Sequence, residues 1–354
     1  MNQIIFPAEW HPQSAIQLTW PHKETDWASM LNEVIPCFVS IAKEVVKREK
    51  LLIVCPDKEE VLSQLGNIDT HQIIFREMPT NDTWARDHGG ITIFENNKPA
   101  IYDFVFNGWG MKFPANHDNL ITRSLFVSET FAPDIEVLNM QPFVLEGGSI
   151  ESDGEGTLLT TVECLSSVNR NEYLNQQQLE YHLKELFGAQ QILWIENGYL
   201  AGDDTDSHID TLARFCDPNT IAYVQCNDEY DEHYTELQAM EEELKAFRTL
   251  TGDPYRLIPL PMADEVVFNG ERLPATYANF LIINDAVLLP FYQSEKDEIA
   301  KEALKKAFPE REIIGINCLP LIKQHGSLHC VTMQYPISVV NKKRSSSNLP
   351  RKEA

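Results

Sequence analysis

Short β-rich runs alternate with amphipathic helical segments along almost the whole chain, and that order restricts the fold to the α/β class. Residues 51–55, 91–94, 157–162, 191–195, 220–225, 286–289 and 328–332 read as strands. Phe38, Ile41, Ala42, Val45 and Val46 recur at helical spacing, and Pro36, tolerated only in a first turn or at a kink, predicts that this helix begins near it. Leu179, Leu183 and Leu186 mark a second helix in 173–186. Leu237, Met240, Leu244 and Phe247 mark a third in 230–249, and 295–308 carries a fourth. Several similar strand–helix units would produce this string, and so would a doubly wound sheet; periodicity does not choose between them. No repeat is detectable in the sequence itself.

A formal net charge of −24 repels phosphate backbones and attracts cations, so nucleic acid is not an expected partner. Seven cysteines without a CxxC spacing fit a reducing compartment. The first residues lack the charged start and apolar run of a signal peptide, and no stretch approaches a membrane span. A cytoplasmic protein is expected, with one catalytic domain over 1–340 and a basic, serine-rich, disordered tail over 341–354.

Four segments gather polar residues with glycine where loops should fall: 81–90 (NDTWARDHGG), 143–151 (FVLEGGSIE), 202–215 (GDDTDSHIDTLARF) and 325–332 (HGSLHCVT). Together they hold a thiol, histidines and several carboxylates, enough for a nucleophile, an acid/base and a cation clamp. Each alone has a plainer reading. Cys330 beside a strand is more often a small buried hydrophobe, and Asp87 and Glu146 beside glycines are as well explained by turns. His208 and Asp210, two apart, would face one way in a strand or form a surface pair. Asp203, Asp204 and Asp206 suggest a metal loop, but lack the central glycine and terminal glutamate of an EF-hand.

Taken in order, WARD (84–87), FNGWGMKF (106–113), EGGSIE (146–151), SSVNRN (166–171), DDTDSHID (203–210) and HCVT (329–332) resemble the agmatine deiminase family of guanidine-modifying enzymes over most of the chain. The resemblance implies a five-bladed α/β propeller, the pentein fold, with the active site in its central channel. It also implies Cys330 as nucleophile, His208 as general acid/base, Asp87 and Asp210 as a guanidinium clamp, and Glu146 near His208 and the substrate. Trp84 would line the pocket and Asn279, in PATYANF, would approach the nucleophile. No metal or organic cofactor is expected, and a homodimer is implied. The chain departs from the family pattern at Ser207, where glycine is usual, at Gly90, where proline is common, and in a nucleophile segment, KQHGSLHC, poor in glycine. The expected reaction is hydrolysis of agmatine to N-carbamoylputrescine and ammonia. Free or peptidyl arginine is the alternative substrate, and a silent polyamine binder the alternative role. A cysteine protease or acyltransferase fits poorly, because acids outnumber plausible oxyanion donors.

Overall fold

The computed structural model describes residues 3–341. Among these the chain makes one move five times: two antiparallel strands, a helical crossover, and a third strand parallel to the second. The first such sheet runs through Ile91–Glu95, Lys98–Val105 and Glu136–Val144, with Ile4–Ile5 added at its edge. The second is built from Ile150–Ser152, Thr157–Thr161 and Gln191–Ile195. Ala213–Asp217, Thr220–Gln225 and Arg256–Pro261 make the third, and Leu281–Ile283, Ala286–Phe291 and Glu312–Asn317 the fourth. The fifth joins the ends of the chain. Thr332–Pro336 pairs antiparallel with Gln13–Thr19, which lies parallel to Lys50–Cys55, itself parallel to Ile73–Glu77. A two-stranded hairpin, Val267–Phe268 with Glu271–Arg272, stands apart.

The crossovers explain the amphipathic helices. Leu31–Val45 buries Val34, Cys37, Phe38, Ile41, Ala42 and Val45, a stripe of three- and four-residue steps. The Val, Phe and Ile side chains among them contribute about 1.5–3 kcal/mol each when fully buried. Pro36 lies inside this helix, which begins five residues earlier than its position predicts. Gln176–Phe187 starts on a capping box made by Asn175 and Gln178 and ends on Gly188 in the left-handed conformation. Tyr234–Ala246 and Lys296–Ala307 cover the third and fourth sheets' crossovers. Middle strands such as Leu51 to Cys55 and Ala286 to Leu289 are wholly buried, which is why they read as unbroken apolar runs.

Two expectations change. Residues 328–331 form a turn and the strand begins at Thr332, so Cys330 precedes the strand rather than lying in it. His208 and Asp210 lie at a single 3-10 turn, Ile209–Thr211, and are brought together by that turn rather than by strand alternation. No helix among the described residues is long and apolar enough to cross a membrane. The tail expected over 341–354 lies outside the described residues apart from Asn341.

Candidate active site

The chemistry-bearing residues occupy the same place in each repeat, the segment that leads into the first strand of a sheet. Asp87 sits in the one-turn helix Ala85–His88 before the first sheet, and Glu146 stands just before Gly147–Ser149 and the second. His208 and Asp210 flank the turn into the third, Asn279 precedes Leu281–Ile283 of the fourth, and Cys330 precedes Thr332–Pro336 of the fifth. Five local chain reversals thus deliver Asp87, Glu146, His208, Asp210, Asn279 and Cys330, all of them buried.

Gly148 records how closely they converge. A Cβ there would lie 2.6 Å from His208 Nδ1, 2.8 Å from Asp87 Oδ1 and 3.2 Å from Asp210 Oδ2, so no side chain fits. His208 Nδ1 and Asp87 Oδ1 are 3.6 Å apart, an ion-pair distance but too long for a hydrogen bond. The Cys330 sulfur is 3.4 Å from Asn279 Oδ1 and 3.9 Å from Asp210 Oδ2. The same Asn279 oxygen accepts from the backbone N–H of His329 at 2.8 Å, which pins the turn carrying the thiol.

The acids are held differently. Asp87 accepts from Trp109 Nε1 and from the Gly148 N–H, each at 3.0 Å. Burial, followed by the charges of Asp210 and Glu146, pushes its carboxyl well above the ordinary range. Asp210 is equally buried, and burial opposes its ionisation, yet the hydrogen bond and charge of His329 outweigh this and hold its carboxyl below the usual value. Glu146 receives Arg170 Nε on both oxygens, at 2.9 and 3.0 Å. Burial lowers His208 to about 4, against the pull of Glu146 and Asp210, and its Nε2 has no hydrogen-bond partner. Burial, then Asp210 and Asp87, raises the Cys330 thiol well above its ordinary value. Burial and the neighbouring acids thus favour a neutral thiol, burial favours a neutral imidazole, and His329 favours an ionised Asp210.

Cys330 and Asp87 line one cavity of about 170 Å³ with Trp84, Trp109, Phe113, Thr205, Gly326 and three more acids, Asp26, Asp82 and Asp204. Trp84 and Trp109 meet edge to face, with centroids 6.3 Å apart. Asp26 is exposed and Asp82 and Asp204 are half-buried, so the cavity runs from a buried thiol to an acidic mouth.

Sequence reasoning missed several partners. Trp109 belongs to FNGWGMKF, where residues 108–111 all have positive φ, an arrangement that turns the indole N–H onto Asp87. Arg170 belongs to SSVNRN and ties Glu146 to Asp206 (2.6 Å) and to the Thr205 carbonyl (2.8 Å). His329, Glu9 and Arg214 form a buried chain behind Asp210. The motifs quoted above contain Trp109, Arg170 and His329 but assign them no role, and Glu9 carries no local signal at all.

The metal reading of 203–206 finds two of its three acids otherwise used, and the third, Asp204, lining the cavity. Asp203 accepts from Thr205 Oγ1 and the Ser207 N–H, and Asp206 pairs with Lys112 and Arg170. Ser207 has φ +60°, which explains why glycine suits this position; its hydroxyl donates to Glu163 at 2.9 Å. Two other groups bring possible ligand atoms within 4.8 Å of one another, Glu146 with Cys164 and His208, and Glu9 with Glu151 and His329. In both, an arginine guanidinium already occupies the carboxylates, Arg170 in the first and Arg214 in the second.

With this geometry in place, the chain can be compared with known proteins. The family model described as Porphyromonas-type peptidyl-arginine deiminase matches residues 5–336. A Legionella pneumophila (strain Paris) protein, provisionally designated an agmatine deiminase, is 34% identical over 340 residues, covering 95% of this chain and 96% of its own. Among solved structures, a Porphyromonas gingivalis protein provisionally designated an arginine deiminase is 55% identical with a TM-score of 0.93, covering 96% of this chain and 100% of that one. A cysteine-to-serine variant of C. jejuni agmatine deiminase, solved with substrate bound, is 42% identical with a TM-score of 0.89, covering 94% and 96%. Matches of this extent and identity place the chain in the Porphyromonas-type peptidyl-arginine deiminase family, the family of the agmatine deiminases.

Proposed function

We propose that this protein hydrolyses the guanidinium group of agmatine, releasing N-carbamoylputrescine and ammonia, through a thiouronium on Cys330. The observation that carries the reading is one cavity with a buried thiol and Asp87 at its closed end and acids at its mouth. A guanidinium is flat and a reluctant electrophile, so its edge must be gripped while its central carbon is attacked from above. Asp87 and Asp210 are the grip; charge-assisted hydrogen bonds contribute about 1.5–3 kcal/mol each.

The proton inventory follows from the resting state. With the cation bound, its charge offsets the field of the acids and the thiol can ionise, its proton passing to His208. The sulfur attacks the central carbon and a tetrahedral adduct forms. His208 then gives that proton to the departing nitrogen, ammonia leaves, and a covalent thiouronium remains. Neutral His208 next takes a proton from water as the oxygen attacks the same carbon. Collapse expels the sulfur, which recovers its proton from the hydroxyl of the adduct as the ureido carbonyl forms; His208 releases the proton it took from water to solvent, where the ammonia becomes ammonium, and the ureido product departs. Glu146, fixed by Arg170, would orient and support the imidazolium. Trp84 would cover the cation's face and Asn279 would steady the sulfur.

Asp26, Asp82 and Asp204 favour a substrate with a second cation at its far end, as agmatine has, whereas free arginine would bring a carboxylate against them. The arginine designation of the P. gingivalis relative makes free or peptidyl arginine the second reading. Ammonia release from agmatine, arginine and an arginyl peptide decides between them: agmatine should lead by about 10²-fold in kcat/KM, and a lead by either arginine substrate would replace this reading. We also infer that the five sheets close as a five-bladed α/β propeller in a single catalytic domain over 1–340, working in the cytoplasm.

A further inference from the structure

We propose that His329 is a positioning residue for this reaction: held as an imidazolium between Asp210 and Glu9, it keeps Asp210 ionised and leaves that acid's second oxygen for the guanidinium. The inference rests on the deiminase reading above and adds a residue that does not touch the substrate. His329 Nδ1 lies 2.7 Å from Asp210 Oδ2, and Nε2 lies 2.6 Å from Glu9 Oε2. A neutral imidazole has one N–H and could serve only one of these contacts. Glu9 is held as a carboxylate, because the Arg214 guanidinium donates to Oε2 at 2.8 Å and the Ile282 N–H donates to Oε1 at 2.7 Å, both contacts that favour the anion. Nε2 must therefore donate to Glu9.

On the other side, Asp210 Oδ1 is buried and has no hydrogen-bond partner, an unsatisfied acceptor on the carboxylate whose Oδ2 lies 3.9 Å from the Cys330 sulfur. An anion with its second oxygen unsatisfied suits a cationic ligand; a neutral acid whose proton was given to Nδ1 would offer that ligand no charge. The groups facing His329 are Asp210, Glu9, Glu151, Arg214, Arg86 and Cys330. Arg214 in turn is fixed by Glu151 and by the Phe280 carbonyl, so the chain Asp210–His329–Glu9–Arg214–Glu151 runs from the reacting sulfur into the interior without an unpaired charge.

The test is ammonia release against pH for wild type, His329→Gln and Glu9→Gln, with whichever of agmatine, arginine or an arginyl peptide the wild type turns over. Without the imidazolium, Asp210 should hold its proton to higher pH, so the acid limb of kcat/KM should move upward by about one pH unit. KM should rise about 10-fold or more while kcat falls less, because the loss is of substrate grip. Glu9→Gln should move the limb in the same direction by less. A folded His329→Gln protein with wild-type KM and an unmoved acid limb overturns the proposal, even if kcat drops, since a merely structural histidine would do that. Should His329→Gln fail to fold, an unmoved limb in Glu9→Gln overturns it equally. A wild type inactive on all three substrates would instead remove the deiminase reading, and this inference with it.

Discussion

Asp87 and Asp210 flank the same space and are both almost fully buried, yet the protein treats them in opposite ways. Behind Asp87 stand neutral donors, the Trp109 indole and the Gly148 amide, and burial and two other carboxyls oppose its ionisation. Behind Asp210 stands His329, backed by Glu9 and Arg214, and its charge is retained. The difference teaches that the ionisation of a buried carboxyl is decided by the groups packed behind it. Charge is thus sustained on the Asp210 side, by His329, and opposed on the Asp87 side, by Asp210 and Glu146.

The largest effect should come from the group both acids serve. Cys330→Ala should lower ammonia release by at least about 10⁴-fold, while Cys318→Ala, whose thiol is buried away from the cavity, should retain turnover; loss in both would mean that fold, not chemistry, was lost. Gly148→Ala comes next. Its methyl would fall on His208 and Asp87 together, so activity should drop by about 10³-fold with thermal stability reduced far less. Comparable activity in a folded variant would refute the convergence on which the site is built.

The comparison itself is sharpened by the pair Asp210→Asn and Asp87→Asn, read by alkylation of the resting thiol. A raised thiol pKa means little thiolate at neutral pH, so modification of wild-type Cys330 should be slow at pH 7 and still climbing above pH 9. Because His329 sustains the charge of Asp210 while burial and two carboxyls oppose that of Asp87, Asp210→Asn should speed alkylation more than Asp87→Asn, while lowering turnover. Equal acceleration would mean that the two acids share their charge evenly. The smallest effect is expected for Trp109→Phe, which removes one donor from Asp87 but keeps an aromatic wall; kcat/KM should fall about 10-fold.

Much of this was legible in the residues. Alternation of apolar runs and helical stripes gave the α/β class, because buried middle strands and crossover helices leave different periods in the sequence. The fivefold repetition was not visible, since it lives in strand pairing and crossover direction, and no side-chain pattern is shared among sheets whose turns carry Asp87, Glu146, His208, Asn279 and Cys330. Asp87, Glu146, His208 and Cys330 lie in loops that combine polar groups with glycine, but their roles, and Asn279 altogether, come from the resemblance of the ordered motifs to the agmatine deiminase family. Glu9 could not be named, lying 321 positions from the cysteine in a segment without a cluster of polar residues and glycine. Its role depends on the fifth sheet, in which the two ends of the chain meet. Pro36 misled the helix start because a proline within a helix removes one donor but can be tolerated where tertiary packing holds both sides.

The account stands on a covalent bond between Cys330 and the carbon of a guanidinium. Acid quenching of wild-type protein during turnover of agmatine, followed by mass analysis of the peptide that contains Cys330, should find that peptide heavier by agmatine less one ammonia, and His208→Ala should stop before this species or fail to clear it. An unmodified Cys330 peptide under conditions where ammonia is being released would contradict the mechanism outright.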